Sequence, residues 1–217
     1  LKKYCRKNHN YHLLDCQTRG PSAARNKGIQ YANGAYISFL DIDDEIISNK
    51  HTLLYEKLCQ FPNAAMIVGK TKIVYPNGKE TIIDLSPLNI GINKPPKLGF
   101  LWLQKFHQHP HISSSIIKKE TILNVNGFPE QMLYGEDIAL SIKISLVYQI
   151  VFVDKLISTY NRHPNSSISN SNEKISLTER YFQFYKKFAL PYFFNNKDKT
   201  PFNDAYLLSE KIAYRML

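Results

Sequence analysis

The sequence predicts an α/β domain whose ligands bind at the end of a buried strand, and three observations carry that expectation. Ala35 to Leu40 (AYISFL) is rich in aromatic and β-branched residues without strict alternation, as a strand covered on both faces of a parallel sheet should be. The run stops abruptly at Asp41-Ile42-Asp43-Asp44-Glu45, so it delivers carboxylates to the carboxyl end of the strand, where open α/β sheets bind their ligands. Helix patterns precede and follow it, and a second acidic cluster, Gly135-Glu136-Asp137, opens a later one.

The elements follow in order. Ser22 to Ala32 begins with a capping-type serine after Gly20-Pro21 and ends before Asn33-Gly34, the punctuation of a short helix. After the strand, Ser48 to Phe61 is a helix pattern. Met66 to Tyr75 and Lys79 to Asp84 flank Pro76-Asn77-Gly78, which is hairpin turn chemistry. Residues 85–97, with three prolines, read as a loop. Leu98 to Phe106 reads as a short helix, His111 to Lys118 as a strand and Lys119 to Asn124 as a helix ended by Gly127. Glu136 to Tyr148 is a helix pattern, and Ile150 to Asp154 and Leu156 to Arg162 read as two short strands. Asn165 to Asn172 (NSSISNSN) reads as a linker before two further helical patterns.

Composition narrows the classes. The chain has 217 residues, 43% hydrophobic and 21% charged, which excludes disordered and low-complexity folds. A net charge of +10 points to an anionic partner. From Lys155 onward ten Lys/Arg face five Asp/Glu, so the carboxy-terminal part is disproportionately basic. Three cysteines without zinc-type spacing point to reduced thiols in a cytoplasmic compartment. The most apolar stretch, Ile138 to Val153, is broken by Lys143 and Gln149 and falls short of the roughly 20 apolar residues of a membrane span. Leu1 opens no signal peptide, and the chain is expected to start within a longer protein.

Clustered carboxylates repel unless a cation joins them, and a hard divalent ion such as Mg²⁺ or Mn²⁺ bridges carboxylates to phosphates. Taken alone, the DxDD run reads equally as a solvated acidic turn, and Glu136-Asp137 as residues that suit the positive end of a helix dipole. Arg25-Asn26-Lys27-Gly28 adds cationic and amide donors just upstream, or a plain exposed helix face. His107, His109 and His111 alternate as metal ligands on a strand would, but Pro110 spoils the strand. Trp102 reads as a ligand-stacking ring or as an ordinary core or surface tryptophan.

Read together and in order, GPSAARNKGIQYANGAYISFLDIDDEI (Gly20 to Ile46), HISSSIIKKETILNVNGFPEQMLYGEDIALSIKI (His111 to Ile144) and YNRHPNSSIS (Tyr160 to Ser169) resemble the family 2 glycosyltransferases. The resemblance covers roughly Thr18 to Ser169 and lacks the family's opening strand, helix and second strand. It implies the A-type glycosyltransferase fold, a mixed, mostly parallel sheet flanked by helices, truncated at the amino terminus. Residues 1–164 would be the catalytic domain and 165–217 a linker and basic helical extension.

The resemblance also implies roles. Asp43 would be a metal ligand for Mn²⁺ or Mg²⁺, with His163 as a further one, and Asp41 would lie nearer the nucleotide ribose. Arg25 and Arg162 would steady the donor turn or the diphosphate, although Asn161 intervenes in the family's Tyr-Arg-x-His pattern. Asp137 would be the catalytic base, with Glu136, Ser114 and Trp102 on the acceptor side, which His111 and Ser113 to Ser115 would line. The activity implied is inverting transfer of a sugar from a nucleotide-sugar donor, a UDP-sugar first, to a glycan or lipid-linked acceptor in bacterial cell-surface polysaccharide synthesis. It would take place in the cytoplasm, at the inner membrane face if the aromatic, lysine-bearing run Tyr181 to Phe194 makes peripheral contact. The alternatives are a metal-dependent nucleotidyltransferase and a non-catalytic remnant that binds nucleotide sugar or polyanions. No RRM, KH or helix-turn-helix signature supports nucleic acid as a partner.

Overall fold

A computed structural model of the chain describes residues 10–85, 88–104, 108–132 and 135–163, and beyond them Lys186. The linker and helical patterns placed after residue 164, His107 and Cys5 lie outside the described residues. The described residues form five α-helices and seven strands: α1 (Pro21–Tyr31), β1 (Tyr36–Ile37), β2 (Glu45–Ile46), α2 (Lys50–Gln60), β3 (Met66–Val74), β4 (Glu80–Ile82), β5 (Gly91–Asn93), α3 (Lys97–Gln104), β6 (Ser115–Lys118), α4 (Lys119–Asn124), α5 (Glu136–Val147) and β7 (Ile150–Asn161). A 3₁₀ turn, Ile112–Ser114, leads into β6.

The strands form one sheet in the order β1-β6-β3-β7-β2, with β4 against β3 and β5 against β7. Strand periodicity divides its side chains between two cores. Met66, Val68, Ile117, Ile150 and Phe152 point to the face covered by Ile29 of α1, Leu98 and Trp102 of α3, Ile122 of α4 and Leu140 of α5. Ile67, Ile116, Val151 and Val153 point to the other face, onto Leu54 and Leu58 of α2. Helices on both faces of a mixed sheet are the expected α/β architecture.

The balance of pairing differs from the expectation of a mostly parallel sheet. Among the described strands only β3 and β7 run parallel, and they are joined through helices, as a parallel pair must be. The tight Pro76-Asn77-Gly78 turn, with Gly78 at φ 79°, forces β4 to return antiparallel to β3, and β6, β5 and β2 also pair antiparallel. The strand expected over Ala35 to Leu40 pairs only at Tyr36 and Ile37, against β6, and sits at the edge of the described sheet; its residues are therefore half-buried rather than covered on both faces.

Other expectations shift locally. The two strands predicted after α5 are one strand, because extra residues around Val153 to Lys155 are taken up as bulges against β3 near Gly69 and do not end the pairing. The loop over 85–97 contributes β5. Ser22 does not cap α1; Gly20 occupies that position, Pro21 opens the helix, and the Ser22 hydroxyl donates to the Pro129 carbonyl, 3.0 Å away.

α5 is buried nearly all round, with ten of its twelve residues in the core. The expected apolar run is thus a core helix, and among the described residues no helix is long and apolar enough to cross a membrane. Lys143 is buried in it, and its ammonium donates to the carbonyls of Val125 (2.6 Å) and Gly127 (2.5 Å), just past the carboxy-terminal end of α4. Burial pushes this ammonium down from the usual 10.5 to about 8. Between those pH values the unfolded chain holds a proton that the folded chain has shed, so this residue's contribution to stability rises as pH climbs through that window, by at most roughly 3 kcal/mol. Urea unfolding of wild type and Lys143→Met at pH 7 and pH 9.5 checks this. Wild type should gain on the variant at the higher pH, and a constant difference would show that burial does not depress Lys143.

Candidate active site

The three sequence segments meet at the carboxyl end of the sheet. One face of α1 presents Ser22, Arg25 and Asn26 at helical spacing to the loop before α5. Asn26 pairs with Phe128 on both sides, its Oδ1 accepting from the Phe128 N–H (2.8 Å) and its Nδ2 donating to the Phe128 carbonyl (2.8 Å). Gly127, at φ 57°, fits here because a Cβ would strike the Asn26 carboxamide. Arg25 reaches further. One guanidinium nitrogen donates to Asp41 Oδ1 (2.7 Å), the other to Glu136 Oε1 (2.6 Å), and the group lies over the Phe128 ring at 5.3 Å. A single planar cation therefore ties the acidic turn after β1 to the first residue of α5.

The turn itself is tight, closed by the Asp44 N–H donating to the Asp41 carbonyl (3.1 Å). Asp41 is half-buried, Ile42 and Asp43 are exposed, and Asp44 folds underneath with a fully buried side chain. The Ser113 hydroxyl donates to Asp44 Oδ2 (2.5 Å), and His111 Nδ1 lies 3.2 Å from the same oxygen. The His111 ring stacks on Tyr160 with centroids 4.7 Å apart. Asp41, Asp44 and His111 each offer a ligand atom within 4.8 Å of the others, and Asp44 Oδ1 is buried without a hydrogen-bond partner among the described residues.

This grouping departs from the ligand pair implied by the resemblance. Asp43 and His163 are exposed and stand outside the group, because Asp43 occupies the solvent corner of the turn while Asp44 turns back beneath it. His111, read from the sequence as an acceptor-side residue, joins the carboxylates instead. The intervening Asn161 has work of its own: its Nδ2 donates to the Asp43 carbonyl (3.0 Å) and to Glu45 (3.3 Å), pinning the turn to the end of β7. Arg162 is exposed at that same end, over the Tyr75 ring at 5.2 Å.

At the other side of Arg25, Gly135 at φ 75° begins α5, and Asp137 lies in the first helical turn, where the dipole favours a carboxylate. Burial pushes Asp137 up, but His109, His111 and Arg25 together with the Ile138 N–H (2.8 Å) outweigh it, and its carboxyl is held below the ordinary range. Glu136 moves the opposite way: burial and the neighbouring Asp137 raise it against the pull of Arg25. Two adjacent carboxylates are thus set apart, Asp137 held toward its ionised form and Glu136 engaged with the Arg25 cation.

Two residues expected on the acceptor side are not open to a ligand. Trp102 is fully buried in the larger core between α3 and α5, so its ring offers no stacking face. Ser114 is fully buried, and its hydroxyl donates to the His111 carbonyl (2.7 Å), which shapes the turn that carries His111. Sequence reasoning missed Lys50 altogether. It is fully buried, and its ammonium donates to the carbonyls of Ser113 (2.7 Å) and Phe39 (3.3 Å). Its signal was a lysine at the first position of a helix, the end at which the dipole disfavours a cation.

Comparison with known proteins agrees with the fold and points to one family. Residues 1–120 match the family described as "Glycosyl transferase family 2". An uncharacterized glycosyltransferase of Rickettsia bellii is 26% identical over 175 residues, 80% of this chain and 24% of that protein. The minor teichoic acid biosynthesis protein GgaB of Bacillus subtilis is 25% identical over 93% of this chain and 22% of its own length. The cholesterol galactosyltransferase of Borreliella burgdorferi is 25% identical over 99% of this chain and 66% of its own. The chain therefore spans about a quarter of the length of several relatives that it matches. In three dimensions it is similar to the crystal structure of S. aureus TarS 1-349, with a TM-score of 0.55 and 18% identity over 74% of this chain and 47% of that one. With the family's signature matched over more than half of its residues, the chain belongs to glycosyl transferase family 2.

Proposed function

We propose that the chain is the catalytic part of a metal-dependent glycosyltransferase that moves a sugar, with inversion, from a nucleotide-sugar donor to a glycan or lipid-linked acceptor. The observation that carries this reading is the Arg25 bridge, which joins the acidic turn and the base-bearing end of α5 into one site. A teichoic acid biosynthesis protein and a cholesterol galactosyltransferase among the relatives support a polymeric or lipid acceptor and a role in cell-surface polysaccharide synthesis. A UDP-sugar is the first donor to try, and the cytoplasmic side of the membrane is the place where we expect the reaction.

In this reading Asp137 takes the proton from the acceptor hydroxyl as that oxygen attacks the anomeric carbon, and the bond to the nucleoside diphosphate breaks on the opposite face. Arg25 holds Asp41 and Glu136 in place during the step. Arg162, a cation at the end of β7, stands ready for the diphosphate. Asp41, Asp44 and His111 are the residues that fit a divalent ion, with the unpartnered Asp44 oxygen as the acceptor it would satisfy; oxygen donors with one imidazole suit Mn²⁺ at least as well as Mg²⁺. A bound ion would supply positive charge to the departing diphosphate.

Mn²⁺ titration by calorimetry tests that assignment. His111→Ala should weaken the ion at least about tenfold, whereas Asp43→Ala should weaken it only when a nucleoside diphosphate is also present. Unchanged Mn²⁺ affinity in His111→Ala would return the ion to Asp43 and His163. Screening UDP-sugars for Mn²⁺-dependent nucleoside diphosphate release tests the reaction itself.

A further inference from the structure

We propose that Lys50 is a positioning residue for the donor turn: its buried ammonium fixes the distance between the Asp41–Asp44 carboxylates and His111. The proposal rests on the metal-site reading above for its consequence, but not for its geometry.

Lys50 is the first residue of α2, and its side chain is completely buried. Nothing in local structure favours it there. A cation at the amino-terminal end of a helix meets the unfavourable pole of the dipole, no acidic residue occupies the first turn of α2, and an ammonium loses its hydration on burial. A residue that breaks several local rules at once is held by something outside its own element.

What holds it is the floor of the site. The ammonium donates to the Phe39 carbonyl, two residues before Asp41, and to the Ser113 carbonyl, two residues after His111. It thus clamps the chain entering the acidic turn to the chain leaving the His111 turn. The second link is Ser113, whose hydroxyl donates to Asp44 Oδ2 (2.5 Å) and accepts a longer contact from the Asp41 N–H (3.5 Å). Asp44 and Lys50 are a buried anion and a buried cation tied to the same residue, so each offsets the field that the other leaves in a dry interior. Without the cation, two carbonyls lose their donor and the Asp44 carboxylate loses its compensating charge. The two turns then keep only the contacts of Ser113 and His111 with the acidic residues, and their spacing loosens.

Hydrogen exchange by mass spectrometry on wild type, Lys50→Met and Lys50→Gln tests the clamp, with a thermal melt to confirm that each variant folds cooperatively. The expected result is loss of protection in residues 38–45 and 111–115 together, while β3 and α5 keep theirs. Mn²⁺ affinity per folded molecule should fall by about 10- to 100-fold, the usual effect of removing a residue that orients metal ligands. Preserved protection in both turns would overturn the proposal. So would protection lost evenly along the chain, a failure of both variants to fold, or Mn²⁺ affinity equal to that of wild type, each of which assigns Lys50 to the core alone. If wild type itself binds no Mn²⁺, the metal-site reading fails, and the exchange pattern still decides whether Lys50 clamps the turns.

Discussion

Asp137→Asn should bind the nucleotide-sugar donor as wild type does and transfer sugar about 10² to 10⁴ times more slowly, the range that general-base catalysis contributes. The substitution is nearly isosteric. It keeps the amino-terminal turn of α5 and an oxygen that can accept from the Ile138 N–H, but removes the lone pair that takes the acceptor proton. The environment supports this role. Burial alone would raise Asp137, yet His109, His111 and Arg25 hold its carboxyl low, so at neutral pH the base is already ionised. The acidic limb of the pH–rate profile should accordingly fall below the ordinary aspartate range and disappear in the variant. Glu136→Gln, by contrast, should lose stability more than rate, because Glu136 is bound to Arg25. Wild-type turnover in Asp137→Asn, or a rate lost only together with donor affinity, would remove the base assignment.

Part of this site was legible in the sequence from order along the chain. Arg25 and Asn26 stand on a helix just upstream of the strand, and the acidic run ends an apolar one, which delivers carboxylates to the carboxyl end of the sheet. The hairpin at Pro76-Asn77-Gly78 and the helix over Lys119–Asn124 were equally readable, since Gly78 and Gly127 adopt the positive φ that their turns require. What could not be read is partnership across the chain. Nothing local distinguishes Asp43 from Asp44, and only the packing of Ser113 beneath the turn decides which carboxylate is buried. The edge position of β1 depends on which strands lie beside it, so its apolar composition overstated its burial. Trp102 is a further case: a lone tryptophan in a short helix reads from the sequence as a stacking ring or as core, and only the packing of α3 against α5 decides for the core.

Arg25→Met should destabilise the chain by about 3–5 kcal/mol, as breaking a buried charge network from one side does, with a fall in Tm on the order of 10 °C. The reason is the imbalance left behind. Arg25 is the cation shared by Asp41 and Glu136, with only 14% of its side chain exposed, and both carboxylates would remain when it goes. Glu136, already raised by burial and by Asp137, would lose the pull of Arg25 and rise further, whereas Asp41 would swing toward solvent with the turn. Lysine is a poor substitute, because a point charge cannot span two carboxylates that a planar guanidinium meets at 2.7 and 2.6 Å. Arg25→Lys should therefore recover part of the stability but little of the donor affinity. Adding Glu136→Gln to Arg25→Met should restore stability by removing the stranded acid and leave donor binding impaired, since the acidic turn is still untethered. Differential scanning calorimetry and nucleoside diphosphate titration on the four chains separate the two effects. Equal donor affinity in wild type and Arg25→Met would mean that Arg25 bolts α5 alone and that the acidic turn is held from below, by Ser113 and Lys50.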